Sequence, residues 1–317
     1  MPVRRRGKQF GIHLTMAAVM VAGFLSLTAP AASAQSTVSR FDVYSPSMDR
    51  WISNDVISPA GGGPAPTFYL LTGVGGGEDG ISWFNNTGVR DFFDDKHVNV
   101  VMPVGGKFSM YTDWNADDPA LGRNKWQTYL TKELPAAVNS RYNTTGVNAL
   151  GGVSMAGGPV LDLAIQAPGV YRAVGSYSGC ARTFDFMGQT AVRSMVEVLG
   201  RGNVTNMWGP PGSPQWAAHD PIINAEKLRG TQLFIATGNG IPGPVDGINS
   251  LVGALGAIPG SALESITQMC TAGLQGRFNE LGIPATFNFR PEGTHTWGLF
   301  EADMRASWPM IAGAIGA

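Results

Sequence analysis

A serine, a histidine and a carboxylate together can turn a hydroxyl into a nucleophile, and this chain offers few ways to assemble that set. Ser154 sits in Gly152-Val153-Ser154-Met155-Ala156-Gly157-Gly158, after the apolar Ala149-Leu150 and before the helix-compatible run Pro159 to Gln166. Strand, tight turn with a serine, then helix is the layout that lifts a serine hydroxyl above a sheet edge. It demands small residues two before and two after the serine, because strand and helix nearly touch there. Gly152 and Ala156 meet that demand. The competing reading is a glycine-rich turn that holds a serine incidentally, so the position of a base bears on the choice. Histidine is the usual group to take a serine proton. Of the four histidines, His13 lies in a basic and apolar N-terminal leader, His97 precedes a strand-like run, and His219 precedes the run 232–237. His295, in Gly293-Thr294-His295-Thr296-Trp297, follows the last strand-like run and precedes a helical stretch from Leu299 to Ile311. That is where a serine–acid–histidine chain order puts the base. The acid must lie between Ser154 and His295. Asp246, in the loop after 232–237, and Glu264, farther on at a helix, both qualify, and spacing does not separate them.

The elements that must position these groups form a series. Buried apolar runs at 67–71, 98–104, 149–153, 173–178, 232–237 and 285–289 alternate with helical segments such as 126–134 and 159–166, while 40–45 alternates like an edge strand and 51–58 is a candidate second strand. This rhythm predicts an α/β fold, with a mainly parallel sheet and helices on both faces. Ligands of such sheets gather at the carboxyl ends of the strands. The glycine-rich Thr72-Gly73-Val74-Gly75-Gly76-Gly77 leaves one such end. A loop there can present a backbone N–H to a developing oxyanion, so Val74 and the residue after the nucleophile, Met155, are the expected donors; a plain mobile loop is the alternative. Between Ala181 and Asp220 the rhythm breaks, with a helical Met195–Leu199 and an irregular stretch from Met207 to Trp216, where a cap over the site is common. The apolar, glycine-rich stretch from Ile248 to Leu263 reads either as buried structure or as a lid.

Charge and compartment narrow the function. Arg4, Arg5, Arg6 and Lys8 precede an apolar run from about Leu14 to Leu27, and Ala32-Ser33-Ala34 gives a small-residue exit. That is the pattern of a secretory signal peptide cut after Ala34, leaving residues 35–317 as a single domain. The run is shorter than the ~20 apolar residues that span a bilayer, which disfavours a retained anchor, and Arg5-Arg6 raises a twin-arginine route. The chain has 22 Lys/Arg and 23 Asp/Glu; the first 34 residues hold four of the basic and none of the acidic ones, so the remainder carries 18 against 23, a net charge of −5. With no basic patch, a nucleic-acid partner is not expected. The sequence has no metal-ligand spacing and no phosphate-binding glycine motif, so no metal or cofactor is expected. Cys180 and Cys270 are the only cysteines, and in an oxidising compartment one even pair invites a disulfide; the alternative is two buried thiols.

With these residues in view, the chain resembles the antigen 85 / mycoloyltransferase family of mycobacteria and corynebacteria, an exported branch of the α/β-hydrolases. The likeness rests on Ser45-Pro46-Ser47-Met48, Tyr69-Leu70-Leu71-Thr72-Gly73, Val101-Met102-Pro103-Val104-Gly105-Gly106, Tyr111-Thr112-Asp113-Trp114, Gly152-Val153-Ser154-Met155-Ala156-Gly157, Asn206-Met207-Trp208-Gly209-Pro210 and Phe287-Asn288-Phe289-Arg290-Pro291-Glu292-Gly293-Thr294-His295-Thr296-Trp297. These occur in family order along nearly all of the chain after residue 34. The resemblance implies an α/β-hydrolase fold and a Leu-Glu pair as the source of the acid, which selects Glu264 in Leu263-Glu264 over Asp246. It implies a secreted or cell-envelope acyltransferase that takes a mycoloyl chain from an acylated trehalose or similar glycolipid and passes it to an envelope alcohol. Thr72, Gly75 and Trp297 are then the residues expected beside the substrate. Members that use trehalose carry an aspartate and an arginine where this chain has Thr72 and Gly75, so the sugar-holding pair is missing. A disulfide at Cys270, six residues past Glu264, would brace the segment that holds the acid. A secreted esterase or an acyltransferase for another alcohol, and a non-catalytic lipid- or wall-binding relative, are the other functions in play.

Overall fold

The structure, a computed structural model, describes residues 1–3, 35–247 and 258–317. Most of the expected leader, with the cleavage expected after Ala34, and the greater part of the apolar stretch after Ile248 lie outside the described residues. Eight strands form one sheet: β1 (Thr37–Ser45), β2 (Arg50–Ser58), β3 (Ala65–Leu71), β4 (Asn99–Pro103), β5 (Thr144–Val153), β6 (Ala173–Tyr177), β7 (Gln232–Thr237) and β8 (Thr286–Phe289). Their order is β1-β2-β4-β3-β5-β6-β7-β8. The hairpin β1–β2 is antiparallel and joins β4 antiparallel, whereas every pairing from β4 through β8 is parallel. This is the α/β-hydrolase arrangement that the alternating apolar runs predict.

The central strands β3, β4 and β6 are buried throughout because both faces of the sheet are covered there, whereas β1 and β2 at the edge keep exposed residues. Successive residues of β3 enter different cores: Tyr69 and Leu71 pack on one face, Phe68 and Leu70 on the other. Helix α1 (Gly157–Gln166) covers the first face through Val160, Leu161 and Leu163. Helix α2 (Phe186–Arg193) continues through a π-helical stretch, Ser194–Leu199. Helix α3 (Ile258–Leu281) adds Leu274 and Phe278 to that same face. Helix α4 (Trp297–Ile315) closes the second face with Leu299, Met304, Trp308 and Ile311. The stretch expected to be irregular, 207–216, contains ends of two short helices, Val204–Trp208 and Pro214–Ala218; Pro214 stands at the first helical position, where its missing N–H costs nothing.

Candidate active site

Ser154 begins the turn between β5 and α1 with a left-handed φ of 57°. The two glycines around it are needed for contact. A side chain at Gly152 would stand 2.6 Å from Val160 and 2.8 Å from the Ala156 carbonyl, and one at Gly158 would meet the Cys180 carbonyl at 2.2 Å. The serine hydroxyl therefore emerges from a turn too tight for larger neighbours, at the carboxyl edge of the sheet.

His295 and Glu264 come to it from the far end of the chain. His295 Nε2 lies 2.7 Å from Ser154 Oγ, and His295 Nδ1 lies 2.7 Å from Glu264 Oε2. If Nδ1 carries the proton donated to Glu264, Nε2 is free to accept from the serine. Glu264 is fully buried, and its other oxygen, Oε1, accepts from Ser178 Oγ at 2.8 Å, Thr237 Oγ1 at 2.9 Å and Gly238 N–H at 2.7 Å. Burial by itself would push the Glu264 carboxyl up. The bond and charge of His295, with the donors Ser178 and Gly238, outweigh it and hold the group below the usual carboxylate range. The acid thus stays ionised where it faces the imidazole.

Asp246, the other acid open to a reading of spacing, does not face the imidazole; it holds the residues on either side of it. Its Oδ1 accepts from Thr294 N–H at 2.8 Å, Thr294 Oγ1 at 3.0 Å and Thr296 Oγ1 at 2.7 Å, and its Oδ2 accepts from Gly243 N–H at 2.9 Å. His97 and His219 lie elsewhere. His97 Nε2 meets the Pro64 carbonyl at 3.2 Å. His219 pairs with Asp162 at 2.8 Å and stacks on Trp208 with ring centroids 4.8 Å apart, fastening α1 to the cap segment.

The two expected oxyanion donors flank the serine. Val74 lines both cavities that reach Ser154, and its carbonyl accepts from Phe108 N–H at 3.0 Å. Its own N–H has no hydrogen-bond partner among the described residues. Met155 stands in the first helical turn after the nucleophile, where N–H groups lack helical partners. The Thr72 carbonyl next in the loop accepts from the Tyr111 hydroxyl at 3.0 Å, so the aromatic loop after β4 fixes the glycine-rich loop after β3.

Two cavities meet at Ser154. One, of about 460 Å³, is lined almost wholly by apolar groups, among them Phe186, Met187, Met195, Leu199, Leu263 and Met269. The other, of about 200 Å³, takes in Thr72, Gly75, Asp79, His295 and Trp297. The groove-lining positions 186, 187, 190, 191, 194 and 195 recur at helical spacing, a stripe that is readable in the sequence. The acid's cradle of Ser178, Thr237 and Gly238 escaped sequence reasoning; its only signal is that all three sit just at or beyond strand ends. Cys180 and Cys270 are joined by a disulfide, with Cα atoms 5.0 Å apart. Among the described residues no cluster of three or more His, Cys, Asp or Glu is arranged to hold a metal, and no helix is long and apolar enough to cross a membrane.

Comparison with known proteins identifies the family. Residues 45–310 match the Esterase family. The diacylglycerol acyltransferase/mycolyltransferase Ag85A of Mycobacterium tuberculosis is 34% identical over 88% of this chain and 82% of its own length. The Ag85B enzyme of Mycobacterium avium is 33% identical over 95% of this chain and 92% of its own. The crystal structure of Mycobacterium tuberculosis MPT51 superposes with a TM-score of 0.73 at 25% identity, covering 88% of this chain and 99% of that one. Carrying a serine–histidine–glutamate array on an α/β-hydrolase sheet, the chain belongs to the antigen 85 / mycolyltransferase family of esterase-fold acyltransferases.

Proposed function

We propose that the protein is an exported serine acyltransferase that moves a long, mycoloyl-type acyl group from a glycolipid ester, a trehalose ester by family likeness, to an alcohol through an acyl-Ser154 intermediate. The observation that carries this reading is the hydrogen-bonded chain Ser154–His295–Glu264 opening into an apolar groove of about 460 Å³. Ser154 Oγ attacks the ester carbon while its proton passes to His295 Nε2. The imidazolium is steadied by ionised Glu264. The N–H groups of Val74 and Met155 receive the charge on the carbonyl oxygen; loss of one such donor typically costs ~10²–10³ in kcat. As the tetrahedral adduct collapses, the ester C–O bond breaks and the leaving alcohol takes the proton from His295. A second alcohol then attacks the acyl carbon, His295 takes its proton, and the serine oxygen leaves and is reprotonated. The groove holds the acyl chain, and the smaller cavity beside His295 and Trp297 receives the leaving and attacking alcohols.

The test is a burst experiment with a chromogenic long-chain ester. The wild type should release one equivalent of alcohol rapidly, and Ser154→Ala should show no burst and no acyl adduct by mass spectrometry. A burst retained in that variant overturns the reading, and failure of a fluorophosphonate to label the wild type would favour a non-catalytic, lipid-binding role. A second reading, an esterase or an acyltransferase for a different alcohol, is favoured by one specific observation: Thr72 and Gly75 leave no charged pair to grip trehalose. Trehalose monomycolate supplied as sole substrate separates the two, since formation of trehalose dimycolate argues against the second reading. Action on such lipids fits an enzyme released outside the cell or held in its envelope, as the leader at 1–34 implies.

A further inference from the structure

The cavity that would receive the alcohols contains one acidic side chain with no cationic partner. Asp79 lines it together with Ser154, His295 and Trp297, and among the lining residues it is the only Asp, Glu, Lys or Arg. Its Oδ1 accepts from Ile81 N–H at 2.9 Å. Its other oxygen lies over the bare backbone of Gly75: a side chain there would stand 2.3 Å from Asp79 Oδ2. Gly75 is thus what allows the carboxylate to fold in beside Val74. The neighbouring acid differs, because Glu78 is paired with Lys107 at 3.0 Å. No Lys or Arg among the described residues forms a salt bridge with Asp79. Thr72, the other polar side chain at this loop, is neutral and buried.

We propose that Asp79 selects the acyl acceptor, admitting an uncharged polyol whose hydroxyl donates to the carboxylate and turning away alcohols that carry a phosphate or carboxylate. This rests on the acyl-transfer reading above. Asp79 is exposed at the mouth of this cavity, where a second anion at short range is still repelled although water and salt screen it, whereas a hydroxyl donor gains a charge-assisted hydrogen bond. Discrimination by a repulsive element is a common route to specificity. The position is reached through a contact, not a motif: Gly75 and Asp79 are four apart in sequence, and their meeting depends on the turn between them.

The experiment loads the enzyme with a chromogenic long-chain ester and lets glycerol or glycerol 1-phosphate compete with water for the acyl group. The two probes share the same hydroxyl pair and differ by the phosphate. Acyl products are quantified by mass spectrometry, and the ratio of the two transfer yields is compared within each enzyme, so that changes in acylation rate cancel. The wild type should favour glycerol severalfold at low ionic strength. Asp79→Asn should narrow that ratio severalfold, and Asp79→Lys should invert it. Equal transfer to both alcohols in the wild type, an unaltered ratio in both variants, or transfer to neither alcohol overturns the proposal. Absence of any burst in the wild type would instead defeat the acyl-transfer reading, so the two failures are told apart.

Discussion

Asp246 shows how much of this site is built by residues that do not touch substrate. Its carboxylate gathers four donors, three of them from Thr294 and Thr296 on either side of His295. Thr294 is fully buried, so removal of the acceptor would strand an N–H and a hydroxyl, at about 1–3 kcal/mol per group. The loop would relax to satisfy them and carry the imidazole with it. A shift of about 1 Å in a reacting group is enough to cost ~10²-fold. Asp246→Ala should therefore lower kcat about 10- to 100-fold, with KM for the ester nearly unchanged, because neither cavity is lined by this residue. Asp246→Asn keeps one acceptor oxygen for the threonines and should restore much of kcat. Steady-state kinetics of both variants checks this; an equal loss in both, or a loss carried by KM, would assign the residue to another role.

At the scale of elements, the acid is delivered by a helix and not by the loop after β7, and α3 must be held for that to work. The disulfide does so from both sides of Glu264. Cys270 lies on α3 six residues beyond the acid, and Cys180 follows Ser178, which donates to Glu264 Oε1. The bridge closes a 90-residue separation, and loss of a native disulfide commonly costs about 2–5 kcal/mol. The double variant Cys180→Ser, Cys270→Ser should lose stability of that order in urea unfolding and should also lose kcat, while reducing agent should have no further effect on it. An unchanged kcat would confine the bridge to stability. The sequence made the strands, the elbow and His295 readable, since each depends on local pattern: apolar runs, small residues at fixed offsets, and position after the last strand. It left Asp246 and Glu264 level because the choice between them depends on where the start of α3 folds over the ends of β6 and β7, which no local pattern encodes; family likeness settled it. The groove was half readable, as a helical stripe in α2 whose partner positions on α3 are brought to it only by the fold. Asp79 was hidden for the same reason.

For the whole molecule, two buried acids on the histidine side pull stability in opposite directions with pH. Glu264 has its carboxyl lowered in the folded protein, so its contribution is present above the ordinary carboxylate range and is lost as pH falls through the lowered value. Asp303, fully buried on α4, is pushed up to about 6: burial dominates, and Arg290 at 2.5 Å with Asn288 at 3.1 Å offsets it only in part. Its Oδ2 is buried without a partner. For an acid raised in the folded state, the unfolded chain gives up the proton first, so its contribution is fully present below the unfolded value of about 3.9 and is lost as pH rises through about 6. Between pH 4.5 and 7.5 linkage gives a loss of about 2 kcal/mol from this group. Asp303→Asn removes the titration while keeping the shape and the bond to Arg290. The variant should therefore gain about 2 kcal/mol relative to wild type over that interval, whatever its stability at pH 4.5. Urea unfolding of both proteins at the two pH values measures the difference; a constant difference would mean that Arg290 keeps Asp303 ionised throughout and that the acid limb belongs to Glu264 and the remaining carboxylates.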